Sequence, residues 1–495
     1  MNFNGDDVRF PDNVAVELGD VLNENLPKGV RKRLEKKPSR TRLVWRWWMV
    51  LASTAPDGIG VAGLKYALVS RENWCRRIGW ILILLCAIVA ASFQIIERTI
   101  YFSSHPLSVD ISLNQSIKEL TFPKVVICNY NAFVKSKTQA SPIIDKLLRN
   151  YENLHYNPSK VDPLTPEELK YIQSLNTFQL FDDLKHRKED MFVRVVFGGR
   201  PISLDDIVTV VTPQGLCYQI NDGKDGRNLL KTSSGGKLFG LSMILNAEQD
   251  EYYYNTYLKD AAGFTIQLLD QNEVTYMNQE GFQVGPGKAV AVDMTVNKNY
   301  NEKPPYGVCG SKKLKYFEEY SRTKCKVECL TDAVISTCGC RLPSLAGNAT
   351  VCDPILMTTC GNAFFEPGIQ DTTYQPNDCE CPVDCEETSF SYSVSSAMYP
   401  SLFRERLLEE YLAEGLLEYD AVRSANMTYI EYNFVAVDIF FHDISTMVIT
   451  QHADYTAFAL LSDIGGSLGL YLGGSLLTIY EILDLCGHSF FHRKR

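Results

Sequence analysis

The chain has 495 residues, 15 cysteines and a formal charge of −10. A balance this acidic offers no electrostatic footing on a phosphate backbone, so no nucleic-acid partner is expected. Two long apolar runs, one near each end, exclude a wholly soluble protein.

Residues 1–44 are polar, with a mixed-charge run after Pro27 whose basic cluster suits anionic inner-leaflet lipid. Trp45, Trp47 and Trp48 follow, in a segment suited to the membrane interface. Ser53 to Tyr66 contains Pro56, Gly58, Gly60 and Gly63 and reads as irregular backbone. Ile78 to Ile96 carries no charge over 19 residues and predicts a transmembrane helix. It starts too deep for a signal peptide, and no small-residue cleavage site follows it.

Beyond Arg98 the chain turns at His105-Pro106, and Leu120 to Asn131 reads as a buried strand. Ser141 to Arg187 has a helical pattern, with Thr165 as N-cap and Glu168 completing a capping box. Phe192–Phe197, Val208–Val211, Phe264–Leu268 and Ala289–Val296 read as strands. Leu402 to Leu417 reads as an amphipathic helix, and Tyr432 to Phe441 as a strand leading to the second span. Helices and strands mix without βαβ alternation, so the fold class is α+β.

The second apolar run, Tyr455 to Leu485, is long enough to cross a bilayer but unlike an ordinary anchor. It carries Asp463 and the glycines Gly465, Gly466, Gly469, Gly473 and Gly474. Ser462, Gly466 and Gly469 share a side with the four-residue repeat Gly465, Gly469, Gly473, giving one small-residue face where backbones can approach. The segment alone fits either an anchor with a dimerising face or a pore. Asp463 before the glycines, with Glu481 and Asp484 after them, favours a cation pathway. Gly473-Gly474-Ser475 would then offer backbone carbonyls in place of an ion's hydration shell.

Basic residues set the topology. Residues 1–77 hold 14 Lys and Arg against 9 Asp and Glu, and Arg493, Lys494 and Arg495 close the chain. Both termini are therefore expected in the cytoplasm. Residues 1–77 read as a cytoplasmic N-terminal region, 78–96 as the first transmembrane helix and 97–454 as an extracellular ligand-sensing domain. Residues 455–485 read as the second transmembrane helix and pore, and 486–495 as a cytoplasmic tail. The segment 78–480 carries −16, which would concentrate cations outside the cell, although soluble domains are often acidic for solubility alone.

Cys75, Cys86 and Cys486 lie in or beside the spans. The other twelve cysteines, Cys128, Cys217, Cys309, Cys325, Cys329, Cys338, Cys340, Cys352, Cys360, Cys379, Cys381 and Cys385, all fall in the extracellular segment. An even count in an oxidising compartment reads as disulfides. Zinc at Cys325-x3-Cys329 with Cys338-x-Cys340 is the weaker alternative. The sequons at Asn114, Asn348 and Asn426 lie in the same segment and are candidate glycosylation sites.

These residues closely resemble the degenerin/epithelial sodium channel family, which includes acid-sensing and peptide-gated channels. The resemblance covers roughly residues 60–485. It rests on FPKVVICNYN (122–131), the cysteine spacing from Cys325 to Cys385, FVAVDIFF (434–441) and LLSDIGGSLGLYLGGSLLTIYEILDL (460–485). It implies a trimer of chains, each with two transmembrane helices flanking a large hand-like extracellular domain of palm, finger, thumb and knuckle. It implies the pairs Cys128–Cys217, Cys309–Cys385, Cys325–Cys381, Cys329–Cys379, Cys338–Cys360 and Cys340–Cys352. The 141–187 region would be the finger and Leu402–Leu417 the knuckle. Gly473, Gly474 and Ser475 would form the selectivity filter. Ser462, Asp463, Gly466, Gly469 and Leu470 would line the pore and its gate, with Ser462 where bulk props the pore open. Glu481 and Asp484 would stand at the inner mouth, and Tyr101 with Tyr306 would couple thumb to first span. The sequence departs from the family in two places. The family's His-Gly pair falls on Ala62-Gly63, without the histidine, and the finger lacks the extra cysteine pair of acid-sensing members.

The expected function is an amiloride-sensitive, sodium-selective channel of the plasma membrane, opened by an extracellular stimulus. Protons are one stimulus, through crowded carboxylates or His105, His155, His186, His442 and His452; a small peptide agonist is the other. A homo- or heterotrimer with related subunits is implied, with sodium as the permeant ion and no cofactor or bound metal. The alternative is a non-conducting membrane-anchored receptor or adhesion module. No nucleophile elbow, HExxH or P-loop is present, so no enzyme is expected.

Overall fold

The computed structural model describes residues 61, 63–68, 73–115, 119–156, 160–224, 226–253, 261–275, 281–364, 379–401, 403, 427–475, 477–481 and 483. They divide into two compact units, Met1–His105 with Tyr455–Arg495, and Pro106–Asp454.

In the first unit a helix runs from Trp74 to Ser103, 30 residues, which outreaches the roughly 30 Å hydrocarbon core at about 1.5 Å per residue. It extends beyond the apolar run 78–96 at both ends, because hydropathy marks the lipid-facing stretch and not the helix. Past that run the polar turns stay helical: Thr99 Oγ1 donates to Ile95 O and Ser103 Oγ to Thr99 O. The helix stops where Ser104 bonds back to Ile100 O and His105 takes the left-handed conformation, φ 50°, before Pro106. Ahead of it lies a short helix, Leu64–Leu68. Tyr66 stacks on Trp80 with centroids 5.2 Å apart, and Arg77 Nε donates to Ala67 O at 2.9 Å. Gly63 makes this approach possible: its φ is +81° and a Cβ there would stand 2.8 Å from Trp80. A second helix, Ala457–Leu472, packs along the first. Among the described residues Trp74–Ser103 is the helix long and apolar enough to cross a membrane, and Ala457–Leu472 is shorter.

Among the described residues the second unit holds two large sheets and the two-stranded pair Leu120–Thr121 with Lys231–Thr232. The larger is organised by the 20-residue strand Phe434–Ala453. One edge of it runs parallel to Lys288–Tyr300, which pairs antiparallel with Glu386–Met398. The other edge serves two partners, Leu241–Asn246 against Phe434–Ile439 and Leu107–Gln115 against Ser445–Ala453. The smaller sheet is antiparallel, in the order Phe282–Val284, Phe264–Leu269, Lys124–Asn129, Gly215–Ile220, Val208–Thr212. Alternate residues of both sheets enter one core. Val290, Val292, Met294, Val435, Val437, Ile439 and Phe441 come from the larger, and Val125, Ile127, Ile220, Phe264 and Ile266 from the smaller.

Helices Pro142–Tyr156, Pro166–Gln173 and Thr177–Leu184 occupy the 141–187 stretch, and Thr165 with Glu168 forms the capping box expected there. The helix Arg322–Cys338 starts on Ser321, whose Oγ accepts from Lys324 N at 3.0 Å, and ends on Gly339. Its apolar cluster is small, centred on Val327, Leu330, Val334, Leu342 and Leu345, so covalent staples are needed. Six disulfides are present: Cys128–Cys217, Cys309–Cys385, Cys325–Cys381, Cys329–Cys379, Cys338–Cys360 and Cys340–Cys352. This is the pairing the resemblance implies, and it leaves those cysteines unavailable to zinc. The expected helix Leu402–Leu417 lies, apart from Phe403, outside the described residues.

Candidate functional site

The second span helix begins with Thr456, whose hydroxyl accepts from Ala459 N at 3.2 Å. Two turns in, Asp463 is anchored at its Oδ2. The Tyr455 hydroxyl donates to that oxygen at 2.5 Å, and Arg98 Nε of the first span stands 3.9 Å away. Tyr455 is itself held by the first span, edge-on to Tyr101 with ring centroids 5.4 Å apart. Neither Tyr455 nor Arg98 stands out in the sequence as a partner of Asp463. The available signal is that Glu97 and Arg98 directly follow the uncharged run 78–96.

Ser462, Gly466 and Gly469 follow at helical spacing. Ser462 and Gly466 are exposed, and Ser462 Oγ donates to Phe458 O at 2.9 Å. Leu470 is 79% exposed. Ser467 Oγ donates to Asp463 O at 2.7 Å and completes the polar side of this turn.

At Gly473 the helix stops. Gly473 adopts φ 66°, its N–H donating to Gly469 O at 3.0 Å, and Gly474 N–H reaches back to Leu468 O at 3.2 Å. A helix that ends at Leu472 leaves its last carbonyls without helical donors. Ser475 then restarts the chain as a cap. Its N–H donates to Thr478 Oγ1 at 3.0 Å, its Oγ accepts from Thr478 N at 3.4 Å, and helix resumes over 477–481. The span is thus two helical pieces with Gly473-Gly474-Ser475 between them, where the sequence presents one unbroken apolar run.

Glu481 lies in the second piece, and Asp484 lies outside the described residues. Tyr101 belongs to the unit of the two spans, and Tyr306 lies half-buried in the other unit, in the segment between the strand Lys288–Tyr300 and Cys309. Asn114 and Asn348 are exposed; Asn426 lies outside the described residues. Of the histidines, His186 is buried, with Nδ1 2.8 Å from Glu248 Oε2. His442 is exposed, with Nδ1 2.8 Å from Asp293 Oδ2, an ion pair that raises its pKa. His155 lies in the helix Pro142–Tyr156, and Ala62 lies outside the described residues.

A family model described as amiloride-sensitive sodium channel matches residues 57–485. Acid-sensing ion channel 1B of Danio rerio is 30% identical over 436 residues, covering 86% of this chain and 75% of its own. Acid-sensing ion channel 2 of Rattus norvegicus is 29% identical over 476 residues, covering 91% and 88%. Acid-sensing ion channel 1 of Gallus gallus is 28% identical over 453 residues, covering 87% and 82%. Among solved structures, a proton-activated chloride channel overlays at a TM-score of 0.30 with 8% identity, too loosely to carry an argument.

Proposed function

The chain belongs to the amiloride-sensitive sodium channel family, and from that premise we propose that it is a ligand-gated, amiloride-sensitive, sodium-selective channel opened from outside the cell. Members of this family are ion channels, not enzymes. The chain works at the plasma membrane as a homo- or heterotrimer with related subunits. Residues 1–77 and 486–495 are cytoplasmic, 97–454 form the extracellular sensing domain, and 78–96 with 455–485 cross the bilayer.

The observation that carries this reading is the break at Gly473. Unpaired backbone carbonyls are too costly to face lipid, so an interrupted span must line water or protein. Two spans from one chain cannot enclose such a path, and three copies meeting on the face of Ser462, Gly466 and Gly469 can. Carbonyls near Gly473, Gly474 and Ser475 then select sodium, and Asp463 draws cations to the approach. The opening stimulus is protons, which the names of the acid-sensing relatives favour, or a small peptide.

Whole-cell recording of the chain expressed alone tests this. An acid step and a panel of amidated peptides are each applied with and without amiloride. An amiloride-blocked sodium current to either stimulus is expected. Silence to both, with the protein at the surface and Ser462→Trp also silent, would mean a non-conducting receptor.

A further inference from the structure

Lys124 opens the strand Lys124–Asn129 at the centre of the smaller sheet and is only 2% exposed. Opposite it stands Leu269, the last residue of the neighbouring strand Phe264–Leu269. The lysine side chain continues past the end of that strand into the turn 270–273, closed by Glu273 N donating to Asp270 O at 3.1 Å. There Nζ donates to Glu273 O and, at 3.4 Å, to Gln271 O. Both acceptors are main-chain carbonyls. The carboxylates of Glu273, Asp222 and Asp270 act on the ammonium through space, and Lys224 opposes them. Burial, with the like charge of Lys224, pushes the Lys124 pKa down to about 8.

A buried ammonium bonded only to carbonyls is a costly way to fill space, and methionine has nearly the same reach without the charge. What lysine adds is a pair of directed, charge-assisted N–H groups that fix one turn. That turn has a second foothold on the sheet just beyond it, where Gln219 Nε2 donates to Thr275 Oγ1 at 2.7 Å.

The other side of the turn reaches the disulfide-stapled helix. Glu273 Oε1 accepts from Ser321 Oγ at 2.9 Å, and Ser321 Oγ in turn accepts from Lys324 N at 3.0 Å as the helix cap. The backbone of Glu273 is thus held by the sheet, and its side chain holds the start of the helix Arg322–Cys338. Past its first turn the helix is stapled through Cys325–Cys381 and Cys329–Cys379. In the other direction the smaller sheet shares one core with Phe434–Ala453, the strand that leads in sequence to the span helix Ala457–Leu472.

We propose that Lys124 is a positioning residue: through Glu273 it sets where the helix Arg322–Cys338 starts on the smaller sheet, and so how far a displacement of that helix by an extracellular stimulus is passed to the strand Phe434–Ala453. The transmission rests on the channel reading above; the tie itself does not. Hydrogen exchange on the full-length chain in detergent tests the tie. Lys124→Met should speed exchange across residues 319–328 about tenfold, Ser321→Ala likewise, and the double variant no more than the faster single. The helix Pro142–Tyr156 should exchange as in the wild type. Wild-type rates at 319–328 in Lys124→Met, multiplied effects in the double variant, or equal acceleration in Pro142–Tyr156 overturn the proposal. If Lys124→Met does not fold, as judged by its melting curve, Glu273→Ala decides, because it keeps the carbonyl that holds Lys124 and removes the acceptor of Ser321. Exchange at 319–328 about tenfold faster then supports the tie, and wild-type rates overturn it. In whole-cell recording Lys124→Met should shift the half-maximal stimulus about fivefold at an unchanged sodium-to-potassium permeability ratio. An unshifted half-maximal stimulus overturns the transmission. A wild type silent to every stimulus overturns the channel reading and the transmission with it, and the exchange result then stands for the tie alone.

Discussion

The Tyr455 hydroxyl donates a 2.5 Å hydrogen bond to Asp463 Oδ2, while Arg98 Nε stays 3.9 Å from the same oxygen. The phenol therefore sets the carboxylate's position, and the guanidinium acts from a distance. The side chains of Arg98 and Asp463 are 39% and 43% exposed, so the ion pair contributes at most about 1 kcal/mol. In the proposed pore Asp463 faces the approach of cations. It is also tied to the residue that starts the second span, so movement of that residue moves the charge.

Charge and tether are separable. Asp463→Asn should lower inward single-channel sodium conductance about twofold at low ionic strength, and the deficit should shrink as added salt shortens the Debye length below about 10 Å. Tyr455→Phe keeps the charge and loses one hydrogen bond worth about 1 kcal/mol. Its conductance should match the wild type while its half-maximal stimulus shifts about fivefold. Wild-type conductance in Asp463→Asn at low salt would remove this carboxylate from the ion path.

The break at Gly473 requires a left-handed residue, φ 66°. A Cβ in that conformation costs about 1–2 kcal/mol, which favours continuing the helix through the carbonyls that the filter needs. Gly473→Ala should reduce the sodium-to-potassium permeability ratio several-fold, and Ser475→Leu, which removes the cap on the second piece, should abolish sodium current or its selectivity. Reversal potentials under bi-ionic conditions report both. An unshifted reversal potential would place the filter elsewhere.

The second span shows where sequence reading reaches its limit. Gly465, Gly466 and Gly469 stay helical and Gly473 does not, although all four are glycines in one apolar run. What separates them is backbone conformation, with Ser475 and Thr478 capping one another beyond the break. Composition cannot reveal that. The capping box at Thr165, the strand Phe192–Phe197 and the apolar run of the first span were legible because each rests on local periodicity or on a cap. The strands Leu107–Gln115 and Glu386–Met398 carried a signal that went unread: Leu107, Val109, Ile111 and Leu113 alternate with Ser108, Asp110, Ser112 and Asn114, and Phe390, Tyr392 and Val394 alternate with Ser389, Ser391 and Ser393, each the period of a one-sided strand. Tyr455 and Arg98 were missed as partners of Asp463 because their proximity is made by the packing of two helices far apart in sequence.

Ser462 is exposed on the second helix and bonds only along its own turn, to Phe458 O. In the proposed trimer it faces the other pore helices, where space for a large side chain exists only when the helices are apart. Ser462→Trp should therefore give a sodium current without stimulus, amounting to roughly half or more of the wild-type maximum, a bias of about 1 kcal/mol or less towards the open state. A basal current equal to the wild type, at equal surface level, would put Ser462 off the pore.

The Cys128–Cys217 disulfide joins neighbouring strands of the smaller sheet and closes 89 residues of chain. Loss of such a link typically costs about 2–5 kcal/mol. Its cysteines sit with Val126 and Leu269 in a small apolar cluster that cannot replace it. Cys128→Ser should lower surface biotinylation several-fold, with a matching loss for Cys217→Ser and no further loss in the double variant. Additive losses would mean that the two thiols act separately.

His442 lies where the parallel pairing of the strands Lys288–Tyr300 and Phe434–Ala453 slips, Met294 facing Phe441 and Val296 facing Thr446. Its Nδ1 is 2.8 Å from Asp293 Oδ2, and the hydrogen bond and charge of Asp293, with a smaller push from Asp443, raise its pKa above the ordinary 6.5. A raised histidine stabilises the fold fully below the unfolded value of 6.5, and that contribution disappears as pH climbs through the folded value. His442→Gln should therefore melt below the wild type at about pH 6 and together with it at about pH 8.5. Asp293→Asn should remove most of the same pH-dependent difference, because an amide oxygen can still accept from the ring but carries no charge to hold its second proton. An equal melting deficit at both pH values would mean that His442 contributes by packing and that its charge plays no part in holding the bulge.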